Sequence, residues 1–215
     1  EMQLKHLHAC GKCAAVYCNK IEFREDAAVP TWVTEFADDD LCRVSSDAKL
    51  SGWLYLELLR ASIVHTSTLM ASRAVLERVG LFDTELRKGQ DLDFWLRLSR
   101  LGPIHMLDTV LSAYRIHGAS ISHRAMATNY HALVVERAVG RFGPADSNGN
   151  QLEAGELARI LASSWFEFAY QHYRVGEPQL CLQGVRRSLD YRPLRFSAWL
   201  LHARAAMALA FGRRG

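Results

Sequence analysis

Residues 71–98 read ASRAVLERVGLFDTELRKGQDLDFWLRL, and the flanking elements follow from them. Ser72 is placed to cap a short helix over 72–79, and Gly80 to stop it. A firmer helix is expected from Asp91 to Leu101. Leu92, Trp95, Leu96 and Leu98 give it an apolar side, and Gly102-Pro103 ends it. Upstream, Ile63–Met70 and Ala14–Phe23 read as strands, the latter rich in β-branched and aromatic residues. Residues 24–50, with Pro30 and Asp38-Asp39-Asp40, read as a polar surface loop before a short helix over 51–60. Residues 2–13 form a first helix. Downstream, Ile104–Leu107 and Val110–Ile116 read as two short strands.

The pattern changes after residue 125. Four helical stretches are expected near 126–141, 152–174, 178–190 and 195–211, punctuated by Gly143-Pro144, Gly176-Glu177-Pro178 and Pro193. The chain therefore divides into a mixed α/β part, 1–125, and an all-α helical tail, 126–215.

Composition excludes some partners. The net charge is +3 over 215 residues, with no basic stripe interleaved with aromatics, so no nucleic acid is expected. The apolar stretch Ser197–Phe211 contains His202 and Arg204 and is shorter than the roughly 20 residues that span a bilayer. Arg213-Arg214 is either a peripheral membrane contact or a solvated basic end. Five cysteines at irregular spacing do not make a disulfide framework, and reduced thiols of a cytoplasmic protein are expected. Cys10-Gly-Lys-Cys13 has metal-ligand spacing, with His6 and His8 just before it. A structural zinc needs a second matched pair of ligands, and none follows at a suitable distance. A zinc-dependent regulator built on His6, His8, Cys10 and Cys13 is the alternative to plain thiols.

Two segments carry candidate chemistry. Asp91 and Asp93 lie two residues apart at a helix start, so they point to nearly opposite sides and only one faces a given pocket. The helix macrodipole stabilises an ionised carboxylate there. Such a group can take the proton of an attacking hydroxyl, or it can cap the helix. In Tyr114-Arg-Ile-His-Gly-Ala-Ser120, strand alternation puts Arg115 and His117 on one side. Two donors followed by Gly118 suit a diphosphate, and the imidazole can also ligate a divalent metal. The alternative is an ordinary exposed strand end.

The ordered trio of Gly80-Leu-Phe-Asp83, Gln90-Asp-Leu-Asp-Phe-Trp-Leu-Arg97 and Tyr114-Arg-Ile-His117 resembles the second half of the catalytic domain in family 2 glycosyltransferases. The resemblance covers roughly residues 14–122. It implies a partial GT-A-like mixed sheet with helices, followed by the helical tail. It also implies transfer of a sugar from a nucleotide-sugar to an acceptor hydroxyl with inversion. Asp91 takes the place of the general base, Asp93 a structural place, and His117 and Arg115 that of contacts to the donor diphosphate or its metal. Acceptor-site candidates are Gln90, where the family has Glu, together with Asp83 and Trp95. The residues themselves favour Asp83 as a turn stabiliser and Trp95, like Phe82, as core.

In the family, a nucleotide-binding half ending in an Asp-x-Asp motif precedes these segments and holds a divalent metal, Mg or Mn. No such start is visible here, and Asp38-Asp39-Asp40 follows the Val16 strand instead of preceding it. With Glu1 at position one, the expectation is an N-terminally truncated sequence, inactive alone. The implied partners are a nucleotide-sugar and a glycan or lipid-linked acceptor, at the cytoplasmic side of a membrane. Asp146-Ser-Asn-Gly-Asn150 mimics a calcium loop, but its twelfth position is Leu157, not Glu, so it reads as a turn. The tail faintly resembles one or two tetratricopeptide units, fewer than a solenoid needs, and can mediate homo-oligomers. Its aromatics Trp165, Phe166, Phe168, Tyr170 and Tyr173 read as core. A non-catalytic helical interaction module on a degenerate scaffold is the competing function.

Overall fold

The computed structural model describes residues 1–24, 43–116 and 125–211. The chain forms two compact units. Unit 1 comprises residues 1–121 and 142–151, and unit 2 comprises 122–141 and 152–215.

Unit 1 is mixed α/β. Its elements in chain order are α1 (Met2–Cys10), β1 (Ala15–Arg24), α2 (Tyr55–Arg60), β2 (Leu69–Ala71), α3 (Arg73–Val79), α4 (Gln90–Leu98) and β3 (Ile104–Ile116). The three strands make one sheet in the order β2-β1-β3. β1 is antiparallel to β2, with Val16 opposite Met70, and parallel to β3, with Val16 opposite His105 and Phe23 opposite Arg115. Val16, Cys18 and Leu107 are buried on one face, where Leu7 of α1 packs against them. Leu54, Tyr55, Leu58 and Leu59 at α2, and Leu92, Trp95, Leu96 and Leu98 on α4, supply most of the remaining core, and α2 packs against α4. The result is a mixed α/β architecture consistent with part of a GT-A-like sheet followed by helices.

Several boundaries differ from expectation for local reasons. α1 stops at Cys10, because Gly11 adopts a left-handed conformation (φ 60°) and closes the helix. Of the expected Ile63–Met70 strand only Leu69 and Met70 pair, in a β2 that runs on to Ala71. Thr66–Thr68 is a 3-10 turn in which both the backbone N–H and the Oγ1 of Thr68 donate to the His65 carbonyl, at 3.0 and 2.8 Å, so these donors are spent locally. The two short strands expected over 104–116 are one. Register shifts opposite Cys18, Asn19 and Lys20 absorb Asp108 and Thr109 as an irregularity instead of a turn. α4 begins one residue early, after Gly89, and ends at Leu98. Beyond it the 3-10 bonds Arg100 N–H to Arg97 O and Leu101 N–H to Leu98 O tighten the last turn. Residues 142–151 belong to unit 1: Tyr55 Oη donates to Gly143 O at 2.9 Å and Arg100 Nη1 to Ala145 O at 2.6 Å. Asp146 organises the expected turn there, its Oδ1 accepting from the N–H groups of Asn148 and Asn150.

Unit 2 is helical: α5 (Tyr130–Phe142, its last residue falling in unit 1), α6 (Glu156–Arg174), α7 (Pro178–Tyr191) and α8 (Phe196–Phe211). Pro178 opens α7 at a position where a missing N–H costs nothing. α6 and α7 approach so closely that a Cβ on Gly184 would sit 2.8 Å from Phe168 Cδ1 and 2.9 Å from Ala169 Cβ. Ala169, Cys181, Val185, Ala198, Leu201 and Ala205 form the shared core. Of the tail aromatics read as core, Phe168 is buried, but Tyr170 is exposed and stacks on Phe166 at 6.5 Å. No described helix is long and apolar enough to cross a membrane.

Candidate functional site

The α3–α4 segment positions Asp91. Ser72 caps α3, its Oγ accepting the Val75 N–H at 3.3 Å, and Gly80 (φ 84°) ends that helix. The turn that follows is tied down by Arg97. Its Nε donates to Asp93 Oδ2 at 2.9 Å, its Nη1 to Val79 O at 2.6 Å and its Nη2 to Leu81 O at 2.9 Å. Asp93 is therefore a structural anchor for Arg97, one turn along the same helix.

The cap of α4 is Gly89 in the left-handed region (φ 79°), so neither Asp91 nor Asp93 caps the helix. Asp91 sits in the first turn and is half-buried; its Oδ1 accepts the Leu92 N–H at 2.8 Å. Among the described residues no other hydrogen bond reaches its carboxylate. Gln90 turns back on the preceding loop, Nε2 donating to Leu86 O. Asp83 accepts the Glu85 N–H at 2.9 Å, an Asx turn. Trp95 is 2% exposed, packed edge-on to Phe94 at 5.2 Å, with its Nε1 unpartnered among the described residues. That burial favours its packing role over an acceptor contact. Phe82, read as core, is instead 43% exposed, stacked on Phe94 at 4.5 Å. Its other ring neighbour is Trp95, edge-on at 6.3 Å.

Around Asp91 the fold gathers groups that local spacing did not flag. His65 lies within the electrostatic reach of Asp91, Lys20 and Glu22. Its imidazole is held below its ordinary pKa chiefly by burial and further by Lys20, while Glu22 and Asp91 pull the other way. Lys20 Nζ pairs with Glu22 Oε1 at 2.6 Å and lies 4.3 Å from the Tyr114 ring centroid; the His65 and Tyr114 rings are 6.5 Å apart. Lys20, Glu22 and Tyr114 share one face of the β1–β3 ladder. Arg115 is on the other face, its guanidinium 5.4 Å from the Phe23 ring. The structure thus brings His65 and Tyr114 together, with His65 in electrostatic reach of Asp91, and puts Arg115 on the opposite face of the ladder. His117 lies outside the described residues, as do Cys42, Asp38-Asp39-Asp40 and Arg213-Arg214.

A second cluster lies at the other end of the same strands. His6 and Cys10, one turn apart on α1, face Cys13 and His105, the latter from β3. One ligand-type atom of each lies within 4.8 Å of every other. His6 Nε2 is 2.9 Å and Cys10 Sγ 3.7 Å from His105 Nδ1. His8 is not part of it, being about 200° around the helix from His6 and exposed. Burial lowers the pKa of both His6 and His105. Burial also pushes the Cys10 thiol up, but hydrogen bonds from the Cys13 side chain and from the N–H groups of Lys12 and Cys13 outweigh it and bring Cys10 below its ordinary value. Burial and the neighbouring Cys10 push Cys13 up to about 12.

The likenesses to known proteins are short. An uncharacterized glycosyltransferase of Rickettsia prowazekii is 32% identical over 65 residues, 30% of this chain and 20% of that protein. Those of Rickettsia typhi and Rickettsia conorii are 30% and 34% identical over 74 and 80 residues, 34% and 37% of this chain. The chain is glycosyltransferase-like. It spans 20%, 23% and 13% of the lengths of these relatives. No family model matches it, and no solved structure does.

Chemically, the first region offers a carboxylate at a helix N-terminal turn with an imidazole in electrostatic reach. This set can accept a proton from a hydroxyl and hydrogen-bond a polyhydroxylated molecule.

Proposed function

We propose that this chain is the acceptor-side part of an inverting, family 2-like glycosyltransferase with a GT-A fold, and that Asp91 is its general base. The observation that supports this best is the state of Asp91: half-buried in the first turn of α4, excused from capping by Gly89, and held through a single backbone N–H. In the reaction, Asp91 takes the proton from an acceptor hydroxyl as that oxygen forms its bond to the anomeric carbon. The bond from that carbon to the donor's diphosphate breaks, and the electron pair leaves with the diphosphate. His65, in electrostatic reach of Asp91, is a candidate to hydrogen-bond the acceptor, and Gln90 and Asp83 are the further acceptor-site candidates that the resemblance supplies.

The donor would be a nucleotide-sugar and the acceptor a glycan or lipid-linked glycan at the cytoplasmic face of a membrane, in a longer protein that supplies the nucleotide-binding half. The family resemblance alone assigns His117 to the donor diphosphate; Arg115, which the resemblance pairs with it, lies against Phe23 on the other face of the ladder from Tyr114. That resemblance also implies Mg or Mn. Hard cations need several oxygen ligands. Among the described residues no group of three or more candidate ligands gathers at Asp91, and Glu22 is paired with Lys20.

Asp91→Asn in the longer protein is expected to lower turnover by about 10²–10⁴-fold while donor binding stays nearly intact. A variant that kept most of its turnover would remove Asp91 from this role.

A helical interaction module is the second reading, favoured by α8. Phe196, Trp199 and Phe211 are 80%, 54% and 69% exposed. We expect this face to pair two copies of the chain. Analytical ultracentrifugation should show a dimer that Trp199→Glu dissociates; a wild-type monomer at micromolar concentration would refute it.

A further inference from the structure

We propose that His6, Cys10, Cys13 and His105 bind one zinc ion and that this ion staples α1 to β3. The proposal is independent of the glycosyl-transfer reading.

The ligand types are those of a closed Cys₂His₂ site, in which four protein ligands leave no open position for catalysis. The geometry is near what zinc needs. Zinc bonds of about 2.0–2.3 Å in a tetrahedron place the ligand atoms about 3.3–3.8 Å apart. Cys10 Sγ and His105 Nδ1 are already 3.7 Å apart. His6 Nε2 and His105 Nδ1, at 2.9 Å, have only to open slightly, and the whole quartet lies within 4.8 Å.

Each ligand has a structural reason for its place. His6 and Cys10 are four residues apart on α1 and so share a face. Gly11 turns the chain at positive φ, and Cys13 returns beside Cys10. The Lys12 N–H donates to the Cys10 carbonyl at 2.7 Å, which tightens the turn that returns Cys13 to Cys10. The loop is pinned from the other side: a Cβ on Gly102 would lie only 3.1 Å from Lys12 O. His105 shares its face of β3 with Leu107, against which Leu7 of α1 packs, so the strand presents its imidazole to α1.

Binding is balanced as follows. His6 donates the Nε2 lone pair and keeps its proton on Nδ1, while His105 donates from Nδ1 and keeps its proton on Nε2. The thiol protons of Cys10 and Cys13 are released to solvent, so two thiolates neutralise the dication.

The test uses the full 215-residue chain, purified under a thiol reductant. Metal analysis after gel filtration is expected to find about one zinc per chain. Replacing zinc with cobalt should give the visible bands of a tetrahedral ion together with thiolate charge transfer. His105→Ala and Cys10→Ser should each lose most of the zinc, and His8→Ala should keep it. A reduced wild-type chain that takes up no zinc and gives no tetrahedral cobalt spectrum overturns the proposal without reference to any variant. Full zinc content in a folded His105→Ala chain would overturn it as well, by reducing the site to the α1 knuckle.

Discussion

Unit 1 holds two polar clusters built on opposite plans. The turn that carries Asp91 is stitched over short distances in sequence: Arg97 reaches Asp93, Val79 and Leu81, no more than 18 residues away. The His/Cys cluster joins groups 95 and 99 residues apart, and it exists only while β1 and β3 are paired. A local cluster forms whenever its two helices form, so damage to it stays local. A cluster that closes a long loop reports on the whole unit, and a cross-link there removes more freedom from the unfolded chain. The first plan suits a side chain that must be aimed; the second suits a fastening.

The largest effect should therefore come from the fastening. Stripping metal from the reduced chain with a chelator is expected to lower the melting temperature of unit 1 by at least about 5 °C, since each kcal/mol shifts a domain of this size by about 2–4 °C. His105→Ala should start low and respond no further to chelator. The change should be confined to unit 1, because the described residues of unit 2 contribute nothing to the quartet. A melting curve of the zinc-loaded chain indifferent to chelator would erase the contrast between the two clusters.

This contrast also explains what was legible in the amino-acid sequence. α3 and α4 could be read because Ser72, Gly80 and the apolar side of α4 are local signals, and the helical tail because Gly and Pro punctuate it. The strand expected at Ile63–Met70 shrank to Leu69–Ala71, since a Thr68 hydroxyl competing for the His65 carbonyl leaves no trace in hydrophobic periodicity. Asp91 was found through the order of neighbouring motifs. His65 and Tyr114 were not singled out beside it, because their approach depends on how separate elements pack. The His/Cys quartet was illegible for the same reason. No second pair follows close in sequence, and its fourth member sits on β3, delivered by the pairing of Val16 with His105. His8, the tempting local candidate, lies on the wrong side of its helix.

The smaller effect belongs to the stitched turn, and Arg97→Met measures it. Methionine keeps an apolar stem of similar length near Phe94, whose ring centroid is 5.1 Å from the guanidinium, so packing is largely preserved. What disappears is a charge-assisted fork on two carbonyls and one carboxylate. The Asp93 side chain is only 21% exposed and its carboxylate is poorly rehydrated once abandoned, whereas Leu81 is 90% exposed and its carbonyl regains water. The expected loss is about 2–3 kcal/mol, read by denaturant unfolding. Zinc content should be unchanged, because nothing in the fork touches the other cluster. In the longer protein, turnover should fall while acceptor affinity also weakens, since the whole turn presenting Gln90 and Asp91 loosens; Asp91→Asn should affect turnover alone. If Arg97→Met instead released zinc, the two clusters would be one cooperative structure, and the division between an aimed turn and a distant fastening would have to be given up.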